Sequence, residues 1–335
     1  MGEVRCAMTI YDIAKEAGVS ASTVSRVVNK KPGVHPATKE KIELLLQKYN
    51  YSPNETARGL VMQSNRMIGI LIADIRNIHY TDGVYTVERE FVRRGYCCII
   101  FNIGSETEEK GDYIRVLGQR RVEGVVLIGS NFQTKEVEEA ISQYLPETPV
   151  VIVNGYLELP NVYGVLADER SGISNLVNIL FEKGHTNLVF VNSYYTPSGS
   201  YKLEGFKEGL RRQGVDKSPV IYDTTASLEG AYEVTERLMK EHPETDGIIY
   251  SIDLLAAGGG RALMDMGYLI PDQVAYTGVD NSIYTEISTP KITSLDNKLP
   301  ELSQMAARLL LDALEERKVT KKMLLFSTVV ERETT

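Results

Sequence analysis

Arg26 stands one helical turn beyond Ser22, in the stretch Gly18–Asn29, "GVSASTVSRVVN". Val24, Val27 and Val28 can anchor one side of a helix there, while Ser20, Ala21, Ser22, Thr23 and Ser25 leave the other side nearly bare around a single guanidinium. Glu and Lys would make a better ordinary surface helix. A bare face suits close approach to a duplex. Ala21 and Ser22 fit thymine methyls or base acceptors, and Arg26 can fork onto guanine O6 and N7. Ser20, Thr23 and Ser25 suit phosphate oxygens, as does the helix N-terminus itself. The chemistry expected is recognition of double-stranded DNA.

The flanking sequence supplies the elements that hold such a helix. "TIYDIAKEAG" opens with Thr9 and Asp12 in capping-box spacing, carries an apolar stripe at Ile10, Ile13, Ala14 and Ala17, and stops at Gly18. Ser20 is the next N-cap, so two helices joined by a tight turn are predicted, a helix-turn-helix. "HPATKEKIELLLQKYNY" gives a third helix, with Pro36 in its first turn and Ile42, Leu45, Leu46 and Tyr49 inward. Charge agrees with this placement. Residues 1–66 hold 10 Lys/Arg against 6 Asp/Glu, a balance of +4; the other 269 hold 27 against 39, a balance of −12. Only the basic head is expected to meet a polyanion.

"TIYDIAKEAGVSASTVSRVVN" followed by "YSPNETARGL" resembles the DNA-binding head and hinge of the lactose-repressor (LacI/GalR) family of bacterial transcription regulators, and the resemblance runs over essentially the whole chain. It implies base reading by Ala21, Ser22 and Arg26, and backbone contacts from Thr9, Tyr11 and Asn29. It also implies DNA contacts from Tyr51, Asn54, Ala57 and Leu60 in a hinge that folds on the operator and pairs with that of a second subunit. Taken alone, Glu55 to Val61 is too short for a stable helix, a flexible tether. By the resemblance Leu60 wedges into the minor groove and kinks it; packing of Leu60 on the body is the other reading.

From Met67 onward short apolar runs alternate with amphipathic stretches: "MIGILIA", "CCIIF", "GVVLIG" and "PVVIVN", then "NLVFVN", "PVIYD", "GIIYSI" and "QVAYTGV", with helices between, one of them from about Ser200 to Gln213. Two doubly wound parallel-sheet α/β subdomains follow, and such sheets bind ligands at the carboxyl ends of their strands. The expected division is an all-α head over 1–52, a hinge over 53–66, a first subdomain over 67–165 and 297–326, and a second over 166–296 and 327–335. The resemblance implies a periplasmic-binding-protein-like body with a small effector between the halves, a sugar or sugar derivative. Its candidate contacts are His79, Tyr80, Asn154, Lys202, Asp253, Asp280 and Asn297. Asp280, ending "VAYTGVD", accepts sugar hydroxyls or else caps the turn through Asn281 and Ser282. Two residues depart from the family pattern: Lys202 replaces its ligand-clamping arginine, and Ile252 replaces the Asn of an Asn-Asp pair, leaving Asp253. Lysine has no planar fork and isoleucine no hydrogen bond.

No catalytic chemistry stands out. There is no phosphate loop or nucleophile elbow, and the four histidines (35, 79, 185, 242) are scattered. "AAGGGRAL" lies inside a helical pattern, so its glycines are expected to serve close packing. Neither enzyme activity, metal nor cofactor is expected. Cys6, Cys97 and Cys98 form no metal spacing and are expected as reduced, buried thiols. The N-terminus lacks a secretion core and no apolar run approaches the roughly 20 residues of a membrane span, so a cytoplasmic location is expected. A homodimer is expected, because one head has too little contact to pick out a genomic site. The tail "STVVERETT" shows no heptads, which argues against a tetramer-forming coiled coil. Catabolite control proteins of the family take a phosphocarrier corepressor through a Tyr-Asp pair; Pro300-Glu301 stands there, which favours a small effector. The readings from other classes are a sugar-binding transport protein, which needs a secretion signal and no basic head, and a sugar-modifying enzyme.

Overall fold

The computed structural model describes residues 8–49, 51, 65–104, 109–193 and 195–335. The chain forms two compact units, 1–65 and 66–335.

In the first unit, α1 (Ile10–Ala17), α2 (Ala21–Val28) and α3 (Pro36–Lys48) enclose a small core of Ile13, Ala14, Ala17, Val24, Val27 and Ile42. The caps expected from sequence form. Thr9 Oγ1 accepts from the Asp12 amide at 3.3 Å while Asp12 Oδ2 accepts from the Thr9 amide at 2.9 Å. Gly18 closes α1 at φ 72°, a left-handed conformation that glycine adopts without strain. Ser20 caps α2 by accepting from the Thr23 amide. The hinge residues Asn54, Ala57 and Leu60 lie outside the described residues, as does Cys6.

The second unit holds two six-stranded sheets, each the floor of one lobe. The first combines β1 (Met67–Ile72), β2 (Cys97–Asn102), β3 (Gly124–Ile128), β4 (Val150–Val153), β5 (Val162–Ala167) and β11 (Lys322–Leu325) in the order β11-β5-β4-β3-β1-β2, all parallel. The second combines β6 (Leu188–Asn192), β7 (Val220–Asp223), β8 (Gly247–Tyr250), β9 (Ala275–Val279), β10 (Thr293–Asp296) and β12 (Thr328–Val330) in the order β12-β10-β9-β8-β6-β7. Apolar cores fill both faces of each sheet, which is why the strands read as continuous Val/Ile/Leu runs rather than alternating ones. The helices of the first lobe are α4 (Ile78–Val92), α5 (Lys110–Gln119) and α6 (Lys135–Tyr144). Those that follow are α7 (Glu169–Glu182), α8 (Pro197–Arg212), α9 (Leu228–Glu241), α10 (Asp253–Asp265), α11 (Ile283–Ile287) and α12 (Leu299–Leu314).

The chain passes between the lobes three times: from β5 into α7, from β10 into α12, which packs on the first sheet, and from β11 into β12. The third passage makes β12 antiparallel to β10, an exception to the all-parallel expectation. The parallel strands end where the lobes meet. A strand that re-enters the second sheet from there, without a crossover helix, must run backwards.

Three details depart from the sequence reading or sharpen it. Helix α8 begins at Pro197 rather than near Ser200, because Thr196 caps it and Pro197 takes its first position. Cys97 is exposed and Cys98 half-buried, against the expectation of buried thiols. β2 is one of the sheet's two outer strands, and an apolar run does not say whether its strand is central. The glycines of "AAGGGRAL" do serve packing. A Cβ on Gly259 would fall on the Tyr250 ring and hydroxyl, and one on Gly260 on the Tyr276 hydroxyl. Tyr250 is fully buried and its hydroxyl pairs with Thr235 Oγ1 at 2.8 Å. Gly259→Ala is therefore expected to destabilise the unit by about 1–3 kcal/mol through overpacking. An unchanged melting temperature would contradict that packing.

Candidate functional site

On the head, α2 presents Ser22 and Arg26 as exposed residues, with Ala21, Thr23 and Ser25 partly exposed. Arg26 Nη1 makes one long bond, 3.3 Å, to the Pro32 carbonyl, so its fork is held only weakly. Several residues expected at phosphates hold the local structure. Ser20 Oγ lies 2.7 Å from Ser22 Oγ and 2.9 Å from Thr23 Oγ1, and Asn29 Nδ2 donates to the Ser25 carbonyl at 2.8 Å. Tyr11 is 74% exposed, whereas Tyr51 is half-buried against the helical core.

In the second unit, a cavity of about 480 Å³ lies where the two lobes meet. Strand ends build its walls: Ala73 and Asp74 after β1, Gly129 and Ser130 after β3, Asn154 after β4, Asn192 at the end of β6, Ser251 after β8 and Asp280 after β9. The structure brings His79, Tyr80, Asn154, Lys202, Asp253 and Asp280 to this cavity. Asn297 is buried and does not line it.

His79 and Tyr80 enter at the start of α4, where Asn77 Oδ1 accepts from the His79 amide at 3.0 Å. Their rings meet edge to face with centroids 5.8 Å apart. From this lobe His79 Nδ1 reaches to 3.7 Å from Asp280 Oδ2 on the other. A second link between the lobes runs from the Ser198 amide to Ser130 Oγ at 3.1 Å. Asn154 has φ 55°, which asparagine tolerates, and its Oδ1 accepts from the Ala167 amide.

Glu169 was missed by the sequence reading, and it anchors the site. It opens α7, is 2% exposed, and its Oε1 accepts from Ser198 Oγ at 2.7 Å and Asn297 Nδ2 at 3.1 Å. Lys202 Nζ lies 3.5 Å from the same oxygen and donates to the Ser251 carbonyl at 3.0 Å. Burial works against the Lys202 charge, yet Glu169, then Asp280, hold its pKa above the ordinary lysine value. Asn297 also donates to Asp280 Oδ1 at 3.1 Å and accepts from Ser327 Oγ at 3.0 Å. It thus ties together residues at all three passages between the lobes. In sequence, Glu169 reads only as an acidic residue in a first helical turn; its neighbours in space are the signal.

Asp253, retained from the family's pair, has its oxygens occupied. Oδ2 accepts from the Ser282 amide at 2.6 Å and Ser282 Oγ at 2.8 Å, and Oδ1 accepts from Ser294 Oγ at 2.6 Å. The turn after Asp280 is thus held by Asp253 rather than by Asp280. Burial, then the charge of Asp280, push the Asp253 pKa up to about 7. The folded chain then binds a proton that the unfolded chain has released, so rising pH favours unfolding between the ordinary 3.8 and about 7. Over that window this group removes on the order of a few kcal/mol of stability. In urea melts, the advantage of the unsubstituted protein over Asp253→Asn should shrink as pH rises through the window; growth of that advantage would refute the assignment.

Residues 9–54 match the family described as bacterial regulatory proteins, lacI family, and residues 177–335 match the periplasmic binding protein-like domain. The chain is 31% identical over 330 residues to the ribose operon repressor of Halalkalibacterium halodurans, covering 98% of this chain and 97% of the relative. It is 30% identical over 331 residues to an HTH-type transcriptional regulator of Lachnoclostridium phytofermentans, covering 98% and 99%. The chain belongs to the lacI family of bacterial regulatory proteins. Its fold is that of the lac repressor dimer bound to operator and the anti-inducer ONPF, with TM-score 0.90 at 22% identity over 98% of this chain and 99% of that one. A LacI family transcriptional regulator from Enterococcus faecium with bound ribose superposes with TM-score 0.72 at 25% identity, covering 80% of this chain and 98% of that one. These lacI-family relatives are transcription regulators, not enzymes. Among the described residues of this lacI-family chain, no helix is long and apolar enough to cross a membrane.

Proposed function

We propose that this lacI-family regulator is a cytoplasmic repressor that binds a palindromic operator as a homodimer and is switched by a small carbohydrate-class effector in the cavity between its lobes. The observation that carries the reading is the face of α2: small side chains around an exposed, weakly held Arg26. Such a face enters a major groove, and a two-fold dimer reads both halves of an inverted repeat. The four-part division of the chain and the hinge contacts of Asn54, Ala57 and Leu60 belong to the same proposal. The ribose named with the Enterococcus faecium regulator and with the Halalkalibacterium halodurans repressor supports the class of effector.

The cavity's construction suggests how binding is transmitted. Ligand contacts on either side bias the lobes toward one separation, through His79–Asp280 and Ser130–Ser198 at the cavity and Asn297 at the passages. Closure alters the subunit interface and hence the spacing of two heads. Coupling of this kind is reciprocal, so operator changes effector affinity by the factor that effector changes operator affinity. The reading is tested by selecting bound duplexes from a random pool at moderate salt, with and without sugars present. Recovery of an inverted repeat is expected; a pool with no repeat under either condition would overturn it.

A further inference from the structure

The cavity holds more carboxylate than cation. Asp74, Glu169 and Asp280 line it, beside an Asp253 that keeps its proton up to about pH 7, and Lys202 is the only buried lysine or arginine among the described residues. That one charge is spent on Glu169 and the Ser251 carbonyl. The Arg76 guanidinium, also on the cavity lining, is a solvent-exposed group paired with Asp74, with Nε at 2.9 Å from Oδ1 and Nη2 at 2.7 Å from Oδ2. Two acceptors lack a donor within hydrogen-bond reach. Glu169 Oε2 is buried without a hydrogen-bond partner, and Asp280 Oδ2 faces His79 at 3.7 Å, beyond hydrogen-bond reach. The two carboxylates lie close together, since Asn297 Nδ2 donates to both at 3.1 Å. Asp253 is turned away from a ligand, because its oxygens pair with the Ser282 amide and hydroxyl and with Ser294 Oγ. A buried carboxylate oxygen with no partner is costly, and a ligand that supplies the missing donor recovers that cost on binding.

We propose that the effector carries a cationic amine as well as hydroxyls, with the ammonium set against Glu169 and Asp280, and that phosphorylated or carboxylated sugars are excluded. The assignment rests on the cavity being the effector site. An ammonium there gives Glu169 Oε2 its donor and balances the excess negative charge. A phosphate entering the same space meets the Glu169 and Asp280 carboxylates, while the one buried lysine, Lys202, is already paired with Glu169. An arginine in place of Lys202 would have offered a planar fork to an anion or a ring hydroxyl, and this chain lacks it.

Three probes built on one hexose ring test the charge rule on the full chain: D-glucosamine, D-glucose and D-glucose 6-phosphate. Each is titrated at pH 7 and low salt, with binding read by saturation-transfer NMR and calorimetry. Glucosamine is expected to bind at least about tenfold tighter than glucose, about 1.4 kcal/mol, with glucose 6-phosphate weakest. In Glu169→Gln and Asp280→Asn the glucosamine preference should fall several-fold while glucose binding changes less. Glucose or glucose 6-phosphate matching glucosamine would overturn the proposal. So would a preference that survives both substitutions, or no glucosamine binding at about 50 mM, far weaker than a millimolar site. If both variants fail to fold, as judged by melting, the ranking in the unsubstituted protein decides alone. Operator selection without sugars is read in parallel. A protein that selects a repeat but shows no amine preference loses only this inference, whereas one that selects no repeat loses the regulator reading.

Discussion

Arg26→Ala is expected to erase the preference for an inverted repeat over scrambled duplex while leaving non-specific binding nearly unchanged. The structure leaves Arg26 exposed on α2, with one 3.3 Å bond to the Pro32 carbonyl, so releasing it toward a base costs little. A bidentate arginine–guanine contact is worth about 1–3 kcal/mol of discrimination, and a two-fold dimer makes it twice, so about 2–6 kcal/mol is at stake. That is about 30-fold to more than 10⁴-fold in relative affinity. Fluorescence-anisotropy titrations on a selected repeat and on its scrambled version, at one fixed salt concentration, measure it directly. Arg26→Lys separates fork from charge, because lysine keeps the attraction to the duplex but loses the paired donors. Equal losses on both duplexes would make Arg26 a phosphate contact and remove base reading from α2's centre.

The second large effect is one of stability. Lys202→Met is expected to cost about 3–5 kcal/mol, since it strands Glu169 in a buried site with its main cationic partner removed. Glu169 is 2% exposed and Lys202 6% exposed, so solvent does not compensate. Urea unfolding of the full chain reads the loss as a lower midpoint at constant slope. The double variant Lys202→Met, Glu169→Gln should recover much of it, because the stranded charge then leaves with its partner. A single variant as stable as the parent, or a double variant worse than the sum of its singles, would mean that the pair is not the unit that stabilises the site.

How much of this was legible beforehand differs between the two units for a physical reason. The head is made of local interactions. Thr9 with Asp12 and Ser20 with Thr23 are bonds three residues apart, and Gly18 sets one turn, so spacing alone gives the helices and their faces. The strands of the body are equally plain, because burial on both faces demands unbroken apolar runs. The cavity's position was also readable, since parallel strands end on one side of a sheet. His79, Tyr80, Asn154, Lys202, Asp253 and Asp280 all reach it, although Asp253 holds a turn rather than an open hydrogen bond.

What the order of residues fixed by itself was therefore the helix-turn-helix, the alternation of strand and helix, and the side of each sheet that can hold a ligand. These follow from contacts within a few residues and from the side-chain period of each element. Tertiary structure alone decided that Glu169 is buried, that Asn297 binds it across 128 residues of chain and reaches Ser327 across 30 more, and that Cys97 is exposed. It also decided that β12 runs backwards. Burial, ion pairing and strand position depend on segments far apart in sequence meeting in space, and no local spacing encodes which of them will meet.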